Sequence, residues 1–543
     1  MVLNGIKWYR GNMMIRYLLK KIRFWQLLKQ NTIREDKTPR LLHTEISHEL
    51  KKNLKDLRDI LGTSSDIVMR EFAFGHQRQV RAALIFIEGL ADKFTITENI
   101  MKPLMLDSHM DWLTVRIESE KIDMIKTTIL SVGNIEQANS MNEVVEACLA
   151  GDVILLIDGS KAALAVSARG WATRTIEEPK TEAVVRGPRE GFSETLSINT
   201  ALLRRKIKST DFTVETMVIG KRTKTSVSIA YIKEVVNPGL VDEVRRRLKR
   251  INTDAILESG YIEQFIEDAP FSIFSTIANS EKPDVVAAKM LEGRVAVVID
   301  GTPFVLTMPM LFIESFQSSE DYYSRPYFAS LVRMLRFIAY VISILGPAAY
   351  VAVTTFHQEL IPTPLLFTMA AAREGIPFPA VVEALIMGMT FEILREAGVR
   401  LPRPVGQAIS IVGALVIGEA AVSAGVIEAP IVIMVAITAV SSFVIPAQTD
   451  GGVILRIIYL ILAGTMGGFG IMLGLIGTLI HLAGLRSFGT PYFSPVVPLT
   501  VRDLKDVFIR VPIWAMLTRP RTIVWRDSER QKSGLRPKPP GKN

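Results

Sequence analysis

The sequence predicts a multi-pass α-helical membrane domain preceded by a soluble α/β region of two duplicated lobes. Three observations carry this. Apolar runs at 331–353, 405–424, 430–446 and 453–485 approach or exceed the ~20 residues that let a helix cross a bilayer with its own backbone satisfied. Upstream of them, the same strand and helix text occurs twice in the same order. Basic residues gather in the N-terminal stretch and after Leu485, on both flanks of the apolar block. The expected divisions are a basic N-terminal tail at 1–44, lobe 1 at 45–165, a connector at 166–204, lobe 2 at 205–328, a transmembrane domain at 329–486 of roughly four to six spans, and a basic cytoplasmic tail at 487–543.

The N-terminal tail has no continuous apolar core and no small-residue cleavage site, so it does not read as a secretory signal. Its segment MIRYLLKKIRFWQLL fits a basic amphipathic helix lying on a membrane surface. An extended tail, or a start at Met13 or Met14, fits equally. The chain's net charge of +9 would suit nucleic acid, but no zinc-knuckle spacing or aromatic RNA-binding strand accompanies it. Basic flanks of an apolar block instead keep segments on the cytoplasmic side, near anionic lipid. Cys148 is the single cysteine, which excludes an intrachain disulfide and fits a reducing compartment.

In the α/β part, HTEISHELKKNLKDLRDIL reads as an amphipathic helix, and DIVMREFAF and RAALIFIEGL as strands. GDVILLIDG, from Gly151, ends in the Asp-Gly of a hairpin turn. Ser65-Asp66 and its strand recur as Thr210-Asp211 and TDFTVETMVIG; RAALIFIEGL recurs as SVSIAYIKEV; GDVILLIDGSKAAL recurs as GRVAVVIDGTPFVL. Such periodicity marks a duplicated unit. Duplicate lobes either enclose a ligand or dock partners. In the connector VVRGPREGFSE, Arg186, Arg189 and Glu194 suit an anion clamp, while Gly187-Pro188 suits a plain turn with solvated charges.

In the apolar block, Arg333 and Arg336 open the first span and are expected to snorkel to the cytoplasmic surface. Pro362, Pro364, Pro377 and Pro379 break the next segment into a loop and a partly embedded piece. Glu383, Glu392, Arg395 and Glu396 follow, and ionisable groups at such depth face a bundle interior, an aqueous path or a partner. Glu392 and Arg395, three apart, suit each other as a structural pair; Glu383 is the functional candidate. If the lobes are cytoplasmic, Arg395, Arg400 and Arg403 lie inside after two crossings. The basic tail is then inside only if the total is even, so the glycine-rich run must break near Gly467-Gly468, or another segment must be re-entrant.

PVGQAISIVGALVIGEAAVSAG, from Pro404, sorts into two faces at 100° per residue. Gly406, Ser410, Gly413, Ala421 and Ala424 form a small-residue face for helix packing. Val412, Leu415, Val416, Glu419 and Ser423 form the opposite face, an apolar constriction beside a carboxylate that suits a cation pore. The other reading is an ordinary packed span whose Glu419 reaches headgroups. His357-Gln358-Glu359 lacks a second helical ligand, and no metalloprotease, nucleophile-elbow or phosphate-loop motif is present. No metal, cofactor or enzymatic activity is expected.

Several of these stretches closely resemble the GerA family, the A subunits of nutrient-germinant receptors of endospore-forming bacteria. They are IDGTPFVLTMPMLFIESFQSSEDYYSRPYFASLVRMLRF, FHQELIPTPLLFTMAAAREGIPFP, EILREAGVRLPRPVGQAISIVGALVIGEAAV and SPVVPLTVRDLKDVFIRVPIWAML. The resemblance covers nearly everything after about residue 45 and leaves the basic N-terminal extension outside. It implies a location in the spore inner membrane with the lobes toward the core. It also implies a complex with a transporter-like, nutrient-binding B subunit and a lipoprotein C subunit, and self-association into a ring that releases monovalent cations. An accessory germination channel of the stage V sporulation AF type shares the membrane motifs. Three functions are therefore weighed: a ligand-gated channel subunit, a non-conducting receptor scaffold, and a secondary transporter using Glu383 and Glu419.

Overall fold

A computed structural model describes residues 45–74, 80–106, 134–170, 179, 182, 184–400, 418–524, 528–532 and 535–537. The basic N-terminal tail, with its amphipathic-helix reading, lies outside them. The described residues of 45–63, 68–87 and 91–169 form one compact unit; 64–67, 88–90 and those from 170 onward form a second.

The first unit is lobe 1. Helix α1 (Leu50–Leu61) buries Leu50, Leu54, Leu57 and Leu61, three or four residues apart, the spacing of one helical face. Strands β1 (Ile67–Phe74), β2 (Val80–Ile87), β3 (Ile135–Ala138), β4 (Val153–Ile157) and β5 (Ala163–Val166) make a sheet of order β1-β2-β4-β5-β3. Every residue of β4 and β5 is buried; VILLI and ALAV are continuous apolar runs because both sheet faces are covered. Helix α2 (Met141–Leu149) starts where the Ser140 side chain accepts from the Glu143 amide while Glu143 accepts from Asn139 N–H, so the helix's exposed first amides are satisfied.

Lobe 2, in the second unit, repeats this. Its elements are α3 (Leu196–Lys206), β6 (Phe212–Ile219), β7 (Thr225–Ile232), α4 (Pro238–Arg250), α5 (Ser259–Ile266), β8 (Ala278–Ser280), α6 (Pro283–Leu291), β9 (Val295–Ile299) and β10 (Val305–Met308), in sheet order β6-β7-β9-β10-β8. The duplication reaches individual hydrogen bonds. In lobe 1, Ser47 N–H donates to Asn53 Oδ1 at 2.9 Å, and Asn53 Nδ2 returns a bond to Ser47 O at 2.6 Å. In lobe 2, Ser193 and Asn199 do the same at 2.8 and 2.6 Å. Asp158, in the predicted Asp-Gly turn, accepts from Leu50 N–H at 3.0 Å; Asp300 accepts from Leu196 N–H at the same distance. Gly159 and Gly301, at φ +88° and +90°, hold the left-handed geometry these turns need.

This corrects the boundary at 205. Helix α3 is the counterpart of α1, and Phe192 is buried with its N–H on Glu281 O. Much of the expected 166–204 connector is therefore the start of lobe 2. Residues 185–187 of the connector are docked: Glu320 Oε1 accepts from Val185 and Arg186 N–H at 2.6 and 3.0 Å, and Gly187 lies against the Tyr323 ring. These contacts suit the turn reading of Gly187-Pro188.

Arg204 of α3 is 1% exposed. Its Nη2 and Nε donate to Asp66 Oδ2 at 2.8 and 3.0 Å, its Nη1 to Phe212 O at 3.0 Å, and its Nη2 to Ser64 Oγ at 3.2 Å. Removing one member of such a pair leaves a buried uncompensated charge, at a cost of about 3–5 kcal/mol. Arg204→Met should therefore lower denaturant stability by that order, and Arg204→Met with Asp66→Leu should recover part of the loss. Equal stability of Arg204→Met and wild type would show the pair to be dispensable.

Candidate functional site in the helical region

Lobe 2 leads into α7 (Pro326–Thr355), α8 (Thr363–Arg373), α9 (Ala380–Arg400), α10 (Gly418–Ser423), α11 (Ala429–Phe443) and α12 (Thr449–Gly484). Among the described residues, Pro326–Thr355 and Pro446–Gly484 are long and apolar enough to cross a membrane, and Ala429–Phe443 is a shorter apolar helix. Leu331, Leu335, Ile338 and Val341 of α7 are all more than half exposed, an apolar stripe at helical spacing.

Helix α12 reverses at Gly467, whose φ of 59° and ψ of −139° leave helical space. The two halves then run back along one another. A Cβ at Gly470 would stand 2.2 Å from Leu462 O, one at Gly474 would stand 2.8 Å from the Tyr459 ring, and Tyr459 Oη lies 2.9 Å from Thr478 Oγ1. Glycine is what lets the backbones come this close. The end of α7 closes the turn: Phe356 packs on Gly467, and His357 Nε2 accepts from Gly468 N–H at 3.2 Å. His357 thus serves the turn, and among the described residues no group of three or more His, Cys, Asp or Glu is placed to hold a metal.

At the opposite ends of these helices lies lobe 2. Ser272 Oγ meets His481 Nε2 at 3.0 Å, and Gln448 Nε2 donates to Ser315 Oγ at 2.8 Å. Arg333 does not snorkel as the sequence suggested. It is fully buried, donating from Nη2 to Asp321 Oδ2 at 3.0 Å and from Nη1 to Asp506 Oδ1 at 2.8 Å, while Arg336 Nη1 donates to Asp321 Oδ1 at 2.8 Å. Carboxylates within reach hold these cations inside the protein and not at the cytoplasmic surface. Burial first, then the Asp506 carboxylate, holds the Tyr322 phenol well above its ordinary range, so it stays a donor to Asp506 at 2.8 Å. The segment after Leu485 is correspondingly packed and not a free tail: Ser487 is buried between Met310 N–H and Thr276 O, and Tyr492 is fully buried.

Two ionic groups lie between the helices. Near the Gly467 end, Glu383 of α9 is fully buried, and its Oε2 accepts from Glu428 N–H at 2.8 Å, capping the start of α11. Glu428, 2% exposed, takes Tyr350 Oη at 3.0 Å and faces Arg373 Nε at 3.3 Å. Glu383 Oε1 is buried without a hydrogen-bond partner. Closer to the lobe end, Glu392 meets Arg395 at 2.7 Å and Arg456 at 3.1 Å, and Arg456 Nε donates to Ser343 O at 2.9 Å. Glu396 pairs with Arg400 at the surface.

Sequence reading missed Arg373, Glu428 and Arg456. Arg456, a lone charge within VILRIIYL, carried the plainest signal. Of the proposed pore face, Val412, Leu415 and Val416 lie outside the described residues, as do Gly406, Ser410 and Gly413 of the packing face. Glu419 and Ser423 are exposed; Ala421 is half-buried against the cluster that contains Val351 and Ile431. Ala424 is exposed just before the Gly425 turn, and Gly418 makes the close approach, to Val432.

The GerA family, described as Bacillus/Clostridium GerA spore germination protein, matches residues 55–522. The chain belongs to the GerA family. Spore germination protein KA of Bacillus subtilis (strain 168) is 46% identical over 496 residues, 91% of this chain and 90% of that protein. An uncharacterized membrane protein, YfkQ, of the same strain is 43% identical over 505 residues, 93% and 95% of the two chains. The N-terminal domain of the A subunit of the Bacillus megaterium spore germinant receptor GerK3 is similar at 36% identity and a TM-score of 0.39, covering 50% of this chain and 98% of that structure.

The hairpin of this GerA chain yields a direct expectation. Gly470→Ala should lower the thermal midpoint in detergent by several degrees, because the added methyl meets the Leu462 carbonyl. Gly477→Ala, whose Cβ meets nothing within 4 Å, should leave the midpoint unchanged or raise it slightly through helix propensity. Equal midpoints for both variants would contradict the close packing.

Proposed function

We propose that this GerA protein is the A subunit of a nutrient-germinant receptor in the spore inner membrane. Copies of it associate into a ring around the span expected at 405–424 and pass monovalent cations when a partner binds nutrient. The family match over 55–522 is the observation that carries this reading. The partners implied by the family resemblance are a transporter-like B subunit and a lipoprotein C subunit, with the two lobes serving as docking modules.

The hairpin supports a topology. With α12 reversing at Gly467, the crossings in this reading are α7, α9, the span expected from the sequence at 405–424, α11 and the two halves of α12. That count is even, so lobes and C-terminal segment share a side, and Arg395, Arg400 and Arg403 fall toward it, as the positive-inside rule asks. Leu499→Cys should then be shielded from a membrane-impermeant maleimide added outside intact cells, and Ala424→Cys should react. Cys148 is buried and gives little background. Labelling of both sites from one side would overturn the even count.

Cation flux through the reconstituted receptor tests the pore. Val412→Ala and Val416→Ala should each raise nutrient-independent flux severalfold by widening an apolar constriction. Glu419→Gln should change conductance or selectivity in a channel, abolish coupling in a transporter, and leave a scaffold indifferent. A ring that assembles yet shows no change in any of the three variants would remove 405–424 from the ion path.

A further inference from the structure

We propose that the helical region carries a binding site for an anionic phospholipid, in a cavity walled by α9, α11 and α12. The cavity measures about 650 Å³. Its body is apolar, with Met389, Val435 and Leu460 in the wall, and its charged residues are Glu392, Arg395, Glu396, Arg400 and Arg456.

The charges do not balance inside it. Arg400 is matched by Glu396 at the surface, but Arg395 and Arg456 share the single carboxylate of Glu392. Arg395 Nη1 is buried and makes no hydrogen bond. An unsatisfied guanidinium donor in such a place is costly, and an incoming anionic oxygen relieves it by a charge-assisted hydrogen bond. A free hydrated anion would leave the apolar wall against water. A phosphate joined to acyl chains satisfies the cation and covers that wall together, which selects a lipid over a free anion of the same headgroup chemistry.

Position agrees. Helix α9 starts near the Gly467 end, where Val381 packs on Gly464, and runs toward lobe 2, so Glu392–Arg400 occupy its lobe-side half. Basic pockets between helices on the cytoplasmic side are where anionic headgroups dock. The inference rests on the bilayer placement proposed above and holds whether the chain conducts or only scaffolds. Gly388 offers a clean probe of the apolar body: it lines the cavity, and a Cβ there meets nothing within 4 Å.

The test uses the full chain, delipidated in detergent and titrated with short-chain phosphatidylglycerol, phosphatidylcholine or inorganic phosphate, read by thermal shift and native mass spectrometry. Phosphatidylglycerol should bind in preference to phosphatidylcholine. Arg395→Gln, which leaves Glu392 paired with Arg456, should weaken phosphatidylglycerol roughly tenfold, the order of one lost charge-assisted hydrogen bond, and phosphatidylcholine, whose choline offsets the phosphate charge, by less. Gly388→Leu should weaken both lipids while leaving the lipid-free midpoint intact. Equal binding of the two lipids, retained selectivity in Arg395→Gln, or undiminished binding in Gly388→Leu would overturn the site. Inorganic phosphate matching phosphatidylglycerol would make it a free-anion site and overturn the lipid assignment. Release of the protein from membranes by alkaline carbonate without detergent would instead overturn the bilayer placement, an outcome separable from a loss of lipid selectivity.

Discussion

The entry and the exit of the helical region meet at one buried guanidinium. Arg333 has no exposed surface, and a charge taken wholly out of water is tolerated only when other charges and dipoles replace the water. Asp321 comes from the segment before α7, while Asp506 and the carbonyls of residues 506 and 507 come from the segment after α12. The entry and exit of the helical region are therefore fixed to the same side chain. This explains why residues beyond Leu485, basic and unremarkable as text, are packed: without Asp506, Arg333 would keep only Asp321, a carboxylate it already shares with Arg336.

Much of the α/β architecture was legible because duplication is written in sequence order. The Asp-Gly ends of β4 and β9 and the paired strand texts sufficed to find both lobes. The start of lobe 2 was not legible, because α1 and α3 share little beyond Ser-x₅-Asn and a leucine before the asparagine. The bonds that identify them as counterparts run to Asp158 and Asp300, each more than a hundred residues downstream. The Gly467 reversal was accessible to charge arithmetic and glycine content together. The ion partners were not, since Glu383–Glu428 and Glu392–Arg456 join residues 45 and 64 positions apart and no local periodicity encodes such distances. The local pairs Glu392–Arg395 (i, i+3) and Glu396–Arg400 (i, i+4) have helical spacing that sequence does encode.

The two ionic groups differ in a way that bears on what each can do. Around Glu383 there are two carboxylates and one guanidinium, and one Glu383 oxygen is orphaned. Around Glu392 there are two guanidiniums and one carboxylate, leaving an excess of positive charge and an orphaned Arg395 nitrogen. Both groups hang on α9, on residues nine apart, about 13 Å at 1.5 Å per residue. Sliding α9 along its neighbours would strip Glu383 of the Glu428 amide and Glu392 of Arg456.

Arg456 makes that restraint three-bodied. Its Nε holds the Ser343 carbonyl of α7 while its Nη1 holds Glu392 of α9, and it belongs to the first half of α12. The Ser343 carbonyl is free to accept because Pro347, four residues on, has no amide hydrogen to return the helical bond. A proline inside α7 thus creates the acceptor that a buried arginine on another helix requires. Relative motion of α7, α9 and α12 must either carry Arg456 along or leave its charge unpaired in a low-dielectric interior, and the second course costs several kcal/mol. Separating any one of the three helices from the others therefore breaks at least one of the two bonds this arginine makes.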